Sequence, residues 1–154
     1  MSILVRRSNL LVSIADDDAV KSAWRHDADA ITLDLANANA AARGRVRDAI
    51  ASAVHGAAEV FVRVDQSTLK TDLEAAVWPG LRGIMLTHVD SAGDIASAEK
   101  QVAVLERERG LKSGSVQFIA VLETARSVWH VRAIVTASPR ITQVVLDEIA
   151  LAAD

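Results

Sequence analysis

Residues Val116–Thr124 read VQFIAVLET, an apolar run that closes on a carboxylate and a hydroxyl. Val116, Phe118, Ile119, Val121 and Leu122 leave the run no polar face, so it reads as a strand buried on both sides. Sequence of helical character follows at once over Thr124–Ala137, so Glu123 falls where a parallel strand gives way to its crossover helix. In barrels and open sheets of alternating strands and helices, that end of the strands is where ligands bind. A carboxylate there loses hydration and needs a ligand, a cation or a partner to compensate.

Outward from this segment the same alternation repeats. Strands are expected at Asn9–Ile14, Ala30–Leu35, Glu59–Asp65, Gly83–Val89 and Ile141–Leu146. Between them, helical spacing runs from the Asp16–Asp18 cluster to about His26, over Ala40–Ala57, over Thr71–Val77 and over Ser91–Arg109. Thr71 with Glu74 three residues later has the spacing of a capping box, and Gly110 stands where a helix C′ residue would. Strands alternating with helices in this way build a parallel sheet. Short right-handed crossovers then leave an open doubly wound sheet or a (β/α)₈ barrel. The first strand-to-helix turn has neither GxGxxG nor GxxxxGK[ST], so an open-sheet nucleotide-binding domain lacks motif support. The expected fold is therefore α/β, a TIM-barrel-type domain spanning residues 1–154. Its six expected βα units make it an incomplete barrel, or one completed by a partner.

Composition bounds the function. The chain has 154 residues, 51% hydrophobic and 24% charged, a length that suits one domain with an aliphatic core. A net charge of -3, with basic and acidic residues interspersed, argues against a nucleic-acid partner. The absence of cysteine removes disulfides, zinc-thiolate sites and thiol nucleophiles. No apolar run approaches the ~20 residues that span a bilayer. The opening MSILVRRSNLLVSIADDD places its arginines after the first apolar residues, the wrong order for a secretory signal, so a cytoplasmic protein is expected.

The strand ends carry the polar residues: Ser13 and Asp16, Asp34, Arg63 and Asp65, then Thr87, His88 and Asp90, Glu123 and Thr124, Asp147 and Glu148. Several have bland readings, Asp34 as a buried acceptor or helix cap and His88 as a loop histidine. Arg63 is harder to dismiss. Flanked by Val62 and Val64, its guanidinium needs a carboxylate partner or an anionic ligand. Glu123 suits a divalent cation as a hard oxygen ligand, and an arginine beside a metal could hold a carboxylate substrate and polarise its carbonyl.

Several stretches resemble the citrate lyase β-subunit-like family of aldolase/lyase TIM barrels. They are RRSNLLVSIAD (Arg6–Asp16), DAITLDL (Asp29–Leu35), Ala42-Arg43, VFVRVD (Val60–Asp65), TDLEAAV (Thr71–Val77), GIMLTHVDSAGDI (Gly83–Ile95), FIAVLETARSV (Phe118–Val128) and VVLDEIALAAD (Val144–Asp154). The resemblance implies Mg²⁺-assisted carbon–carbon cleavage of a hydroxy-acyl-CoA or a 2-oxo acid through an enolate-type intermediate. It implies that Glu123 binds the metal, that Arg63 contacts the substrate carboxylate and carbonyl, that Arg7 sits near the CoA or substrate, and that Thr124 belongs to the substrate site. Three departures matter. Ala36 and Asn37 stand where the family has Glu and Asp, Thr87-His88 replaces a Pro-Lys pair, and Ala150 occupies the usual second metal-ligand position, leaving Asp147 or Glu148 as the substitute. Losing one of two carboxylates weakens a Mg²⁺ site, so a catalytically degenerate homologue serving as a binding or assembly subunit is the alternative. Either way an incomplete barrel exposes sheet edges, and a homo-oligomer is expected.

Overall fold

The computed structural model describes residues 6–154. Residues 1–5, the first apolar residues of the N-terminal reading above, lie outside the described part. Six strands form one parallel sheet in the order β1-β2-β3-β4-β5-β6. They are β1 (Asn9–Ser13), β2 (Ala30–Asp34), β3 (Glu59–Asp65), β4 (Gly83–Thr87), β5 (Gln117–Leu122) and β6 (Ile141–Leu146). Because each strand pairs with its sequence neighbour, the order never reverses. A doubly wound sheet would have to reverse, so the chain is barrel-type, with six of the strands of a TIM barrel.

The two faces of the sheet do different work. Ile31, Leu33, Val60, Val62, Ile84, Leu86, Phe118 and Ala120 face the helices and form the main core. Residues alternating with them face the barrel interior, where Ala30, Phe61 and Ile119 pack with Met85 and Val145. β5 is buried along nearly its whole length, as its unbroken apolar run requires. The outer strands β1 and β6 pair on one side only, and Leu11, Val144 and Leu146 are exposed. Gly83 opens β4 because a Cβ there would stand 2.6 Å from the Gln117 carbonyl oxygen and 2.8 Å from the Phe61 ring.

The helices are shorter than the sequence periodicity suggests. α1 (Asp17–Ser22) gives way to a 3₁₀ turn over Ala23–His26. The Ala40–Ala57 segment divides into α2 (Ala40–Gly44) and α3 (Val46–Ala53). α4 runs Leu69–Ala76 after a 3₁₀ turn at Gln66–Thr68, so Thr71 lies inside the helix and does not cap it. Asp65 accepts from Ser67 N–H instead and starts that turn. α5 (Ala92–Glu108) is capped as a capping box by Ser91 and Asp94, and Gly110 follows it at φ +66°. α6 (Ala125–Trp129) and α7 (Val131–Thr136) share the segment after β5, and α8 (Glu148–Ala153) follows β6.

Candidate active site

Parallel strands place their carboxyl ends on one rim, and there the polar side chains meet. Arg63, inward-facing on β3, donates from Nη1 to Asp34 Oδ2 on β2 at 3.2 Å, and its Nη2 lies 3.8 Å from Glu123 Oε1 beyond β5. The expected carboxylate partner of Arg63 is thus two carboxylates. A guanidinium has five N–H donors, so N–H groups remain for a ligand. Arg63 lines both a rim cavity of about 550 Å³ over β2 and β3 and an interior cavity of about 450 Å³ that also meets Met85, Val121, Val145 and Asp147.

Glu123 is buried, with 6% of its surface exposed. Its Oε2 accepts the His88 backbone N–H at 2.6 Å. His88 can aim that N–H because it follows β4 in the left-handed region, at φ +54°. Its imidazole Nδ1 lies 2.7 Å from Asp65 Oδ2 and 3.7 Å from Glu123 Oε2. Burial pushes the Asp65 carboxyl up, but the Ser67 hydroxyl and N–H and the neighbouring His88 outweigh it and hold Asp65 below its ordinary value. His88 therefore belongs to the rim cluster and is not a free loop histidine. No sequence pattern announces it, because Asp65, His88 and Glu123 come from three strands that only the sheet brings together.

Other expected site residues are placed differently. Thr124 caps α6, with its Oγ1 donating to Asp90 Oδ1 at 2.6 Å and accepting from Ser127 N–H at 3.0 Å. Its hydroxyl is already occupied. Asp147 caps α8, accepting the Ala150 N–H at 3.0 Å. Arg7 precedes β1 and pairs at 3.2 Å with Asp29, which precedes β2. The Arg7 side chain and the Arg7 backbone N–H hold the Asp29 carboxyl down to about 2. That pair sits at the amino ends of the strands, roughly 16 Å from the rim for strands of this length. Arg7 and Glu123 are not in one site.

The HpcH/HpaI aldolase/citrate lyase family matches residues 7–154. The chain belongs to that family. Citrate lyase subunit beta of Escherichia coli K12 is 30% identical over 149 residues, covering 92% of this chain and 49% of that protein. The Leuconostoc mesenteroides subunit is 29% identical over 150 residues, covering 92% and 50%. This family member thus spans about half the length of the curated relatives it matches. Among solved structures, an aldolase/citrate lyase family protein from Burkholderia cenocepacia superposes with a TM-score of 0.71 at 22% identity, covering 94% of this chain and 65% of that one. The magnesium/glyoxylate complex of Haloferax volcanii malate synthase superposes with a TM-score of 0.74 at 16% identity, covering 97% and 54%. These likenesses show the shared barrel fold.

The family resemblance would put a magnesium ion on Glu123 and the position of Ala150, with Asp147 or Glu148 as the substitute, and the residues here do not fit one. Mg²⁺ demands near-octahedral oxygen ligands. One Glu123 oxygen already takes the His88 N–H, the other faces the Arg63 guanidinium, and Asp147 is turned into its own helix. Ala150, at the usual second-ligand position, has no oxygen in its side chain. Among the described residues no three His, Cys, Asp or Glu side chains converge to hold a metal ion.

Proposed function

We propose that this chain is a citrate lyase β-subunit-like carbon–carbon lyase, cleaving a hydroxy-acyl-CoA or a 2-oxo acid in aldol fashion. The observation that carries the reading is Arg63, fixed between Asp34 and Glu123 with N–H groups left over two cavities at the carboxyl ends of the strands. Its free N–H groups hold the substrate carboxylate or carbonyl oxygen, and they stabilise the charge that gathers on that oxygen as the carbon–carbon bond breaks. Glu123 and Asp34 set the guanidinium's plane, and Glu123 also anchors the His88 loop. The positive charge at the reacting oxygen is assigned to Arg63, and no step passes through Mg²⁺.

The test is calorimetric titration with oxaloacetate, with and without Mg²⁺, followed by a cleavage assay on a panel of hydroxy-acyl-CoA thioesters. Binding that persists without Mg²⁺ and is lost in Arg63→Met, together with turnover of one thioester, supports the reading. A second reading, a binding or assembly subunit without turnover, draws on the exposed Leu11, Leu146 and Ile149 along the one-sided strands and after β6. Neither heat nor turnover from the wild-type chain would favour it.

A further inference from the structure

We propose that two copies of this chain pair edge to edge through β6, antiparallel across a two-fold axis. The interface stands apart from the lyase reading and holds whether or not the rim turns over substrate. Among the described residues β6 pairs with β5 alone. The Asp147 N–H donates to the Leu122 carbonyl at 3.0 Å, and alternate residues of a strand aim their backbone groups to opposite sides. The N–H and C=O groups of Val144 and Leu146 are therefore turned to the free edge, a template for another strand. The edge carries none of the usual protections. Its sequence, ITQVVL, has no charge and no proline, and it is rich in residues that favour strands.

The apolar surface selects β6 over β1. On β1 the helix-facing Leu10 and Val12 pack into the core, and only Leu11 is bare. On β6 the helix-facing Val144 and Leu146 are 37% and 48% exposed, and Val128, Trp129 and Ile149 stand bare on α6 and α8. Those two helices meet beside the strand, where the Ala125 N–H donates to Asp154 Oδ2 at 2.9 Å. The five side chains present on the order of 500 Å² of surface, most of the roughly 800 Å² per partner in a standard interface. Antiparallel pairing about a two-fold also brings the helix layers of both copies side by side, over Val144 and Leu146.

The pattern along β6 selects a like copy and sets the register. A two-fold centred on Val145 sets that residue against its own copy and Val144 against the partner's Leu146. Apolar faces apolar at all three central pairs, and no like charges meet, since the strand has none. Centred on Val144, the axis would oppose Leu146 with Thr142 and lose that match. An unlike edge would have to reproduce this pattern, whereas an identical one does so by symmetry. Val145 also faces the interior and, with Arg63, lines the cavity of about 450 Å³. The partner's Val145 and Gln143 therefore extend the wall of that cavity on its open side.

The chain contains no cysteine, so a single introduced thiol can cross-link only to its own copy. The Val145 N–H points to β5, so Val145 and its copy form a non-hydrogen-bonded pair with Cα atoms about 4.5 Å apart, within disulfide reach. Under mild oxidation Val145→Cys should form an interchain disulfide at least about tenfold faster than Leu11→Cys on the other edge, read on non-reducing gels. Sedimentation velocity should bring the wild type to twice the 16.4 kDa chain mass as concentration rises. Val144→Pro removes one outward N–H and leaves the β5 ladder intact, and Val144→Lys places a charge on the edge. Both should stay monomeric with an unchanged far-UV spectrum, and the lysine variant decides alone if the proline variant does not fold. A wild-type chain that stays monomeric overturns the proposal. So does an oligomer that persists in folded Val144→Lys, or cross-linking no faster at Val145 than at Leu11, because either places the contact elsewhere.

Discussion

Arg63 shows how much one residue type can be asked to do. Its planar fork meets Asp34 and approaches Glu123 while presenting unused donors to the cavities, a geometry that an ammonium on a flexible stem cannot reproduce. Arg63→Lys should therefore keep the charge and the fold but lower kcat/KM for the cleaved thioester by about 100-fold or more, with a thermal melt within a few degrees of wild type. The arginine's need for an anion was legible in its neighbours Val62 and Val64, but which anions it meets was not. Asp34 and Glu123 are far from it in sequence, and strand pairing alone brings them within reach. Arg7 shows a signal that was readable yet not used. It precedes the first strand, and in a parallel sheet everything that precedes a strand lies on the rim opposite Glu123. His88 was legible as a rim residue from its place at the end of the fourth strand, but its approach to Asp65 and Glu123 was not, since backbone φ and cross-strand neighbours leave no trace in a single sequence.

At the scale of elements, two pairs of residues separate apparent from real structural roles. Thr71 has capping spacing but lies within α4, whereas Ser91 caps α5 through the full box with Asp94. Thr71→Ala should change stability by less than about 0.5 kcal/mol, and Ser91→Ala should cost about 1 kcal/mol, both read from urea unfolding. The second pair anchors α5 to the sheet. Glu106, 1% exposed, accepts from both Arg140 Nη atoms at 2.8 and 2.7 Å and from the N–H groups of Gly114 and Val116. Burial pushes the Glu106 carboxyl up, but Arg140 and the two amides outweigh it and bring it down to about 2. A folded value below the unfolded one contributes stability that is complete above about 4.5 and lost as pH falls toward 2. Acid unfolding should be steep in that window, and Glu106→Gln should flatten it. Glu106→Ala leaves the buried Arg140 with only Glu99 at 3.6 Å and the Val116 carbonyl at 3.0 Å, and should cost about 3–5 kcal/mol. A cost below about 1 kcal/mol in denaturant titration would count against the clamp.

For the whole molecule, the decisive features are the sheet's outer strands and the apolar surface beside them. Trp129 is 86% exposed and Ile149 87% exposed, on α6 and α8, and Leu146 and Leu11 are open on β6 and β1. Apolar surface of this kind beside unpaired strand edges drives association. Sedimentation velocity should show the 16.4 kDa chain as species larger than the monomer, shifting toward the monomer in Trp129→Asp/Ile149→Asp with an unchanged far-UV spectrum.

The fold class was legible in the sequence, because period and burial are local: VQFIAVLET reads as a strand covered on both faces, and five more strands alternating with helical stretches read as a parallel sheet. The sequence also determined the rim, since a residue that follows a strand stays at that strand's carboxyl end whatever the packing. The tertiary structure decided which rim residues touch. It turned Thr124 and Asp147 into helix caps, moved Arg7 to the far end of the strands, and set His88 between Asp65 and Glu123. Those outcomes depend on sheet register, backbone handedness and competition for the same oxygens, which exist only once the strands are side by side.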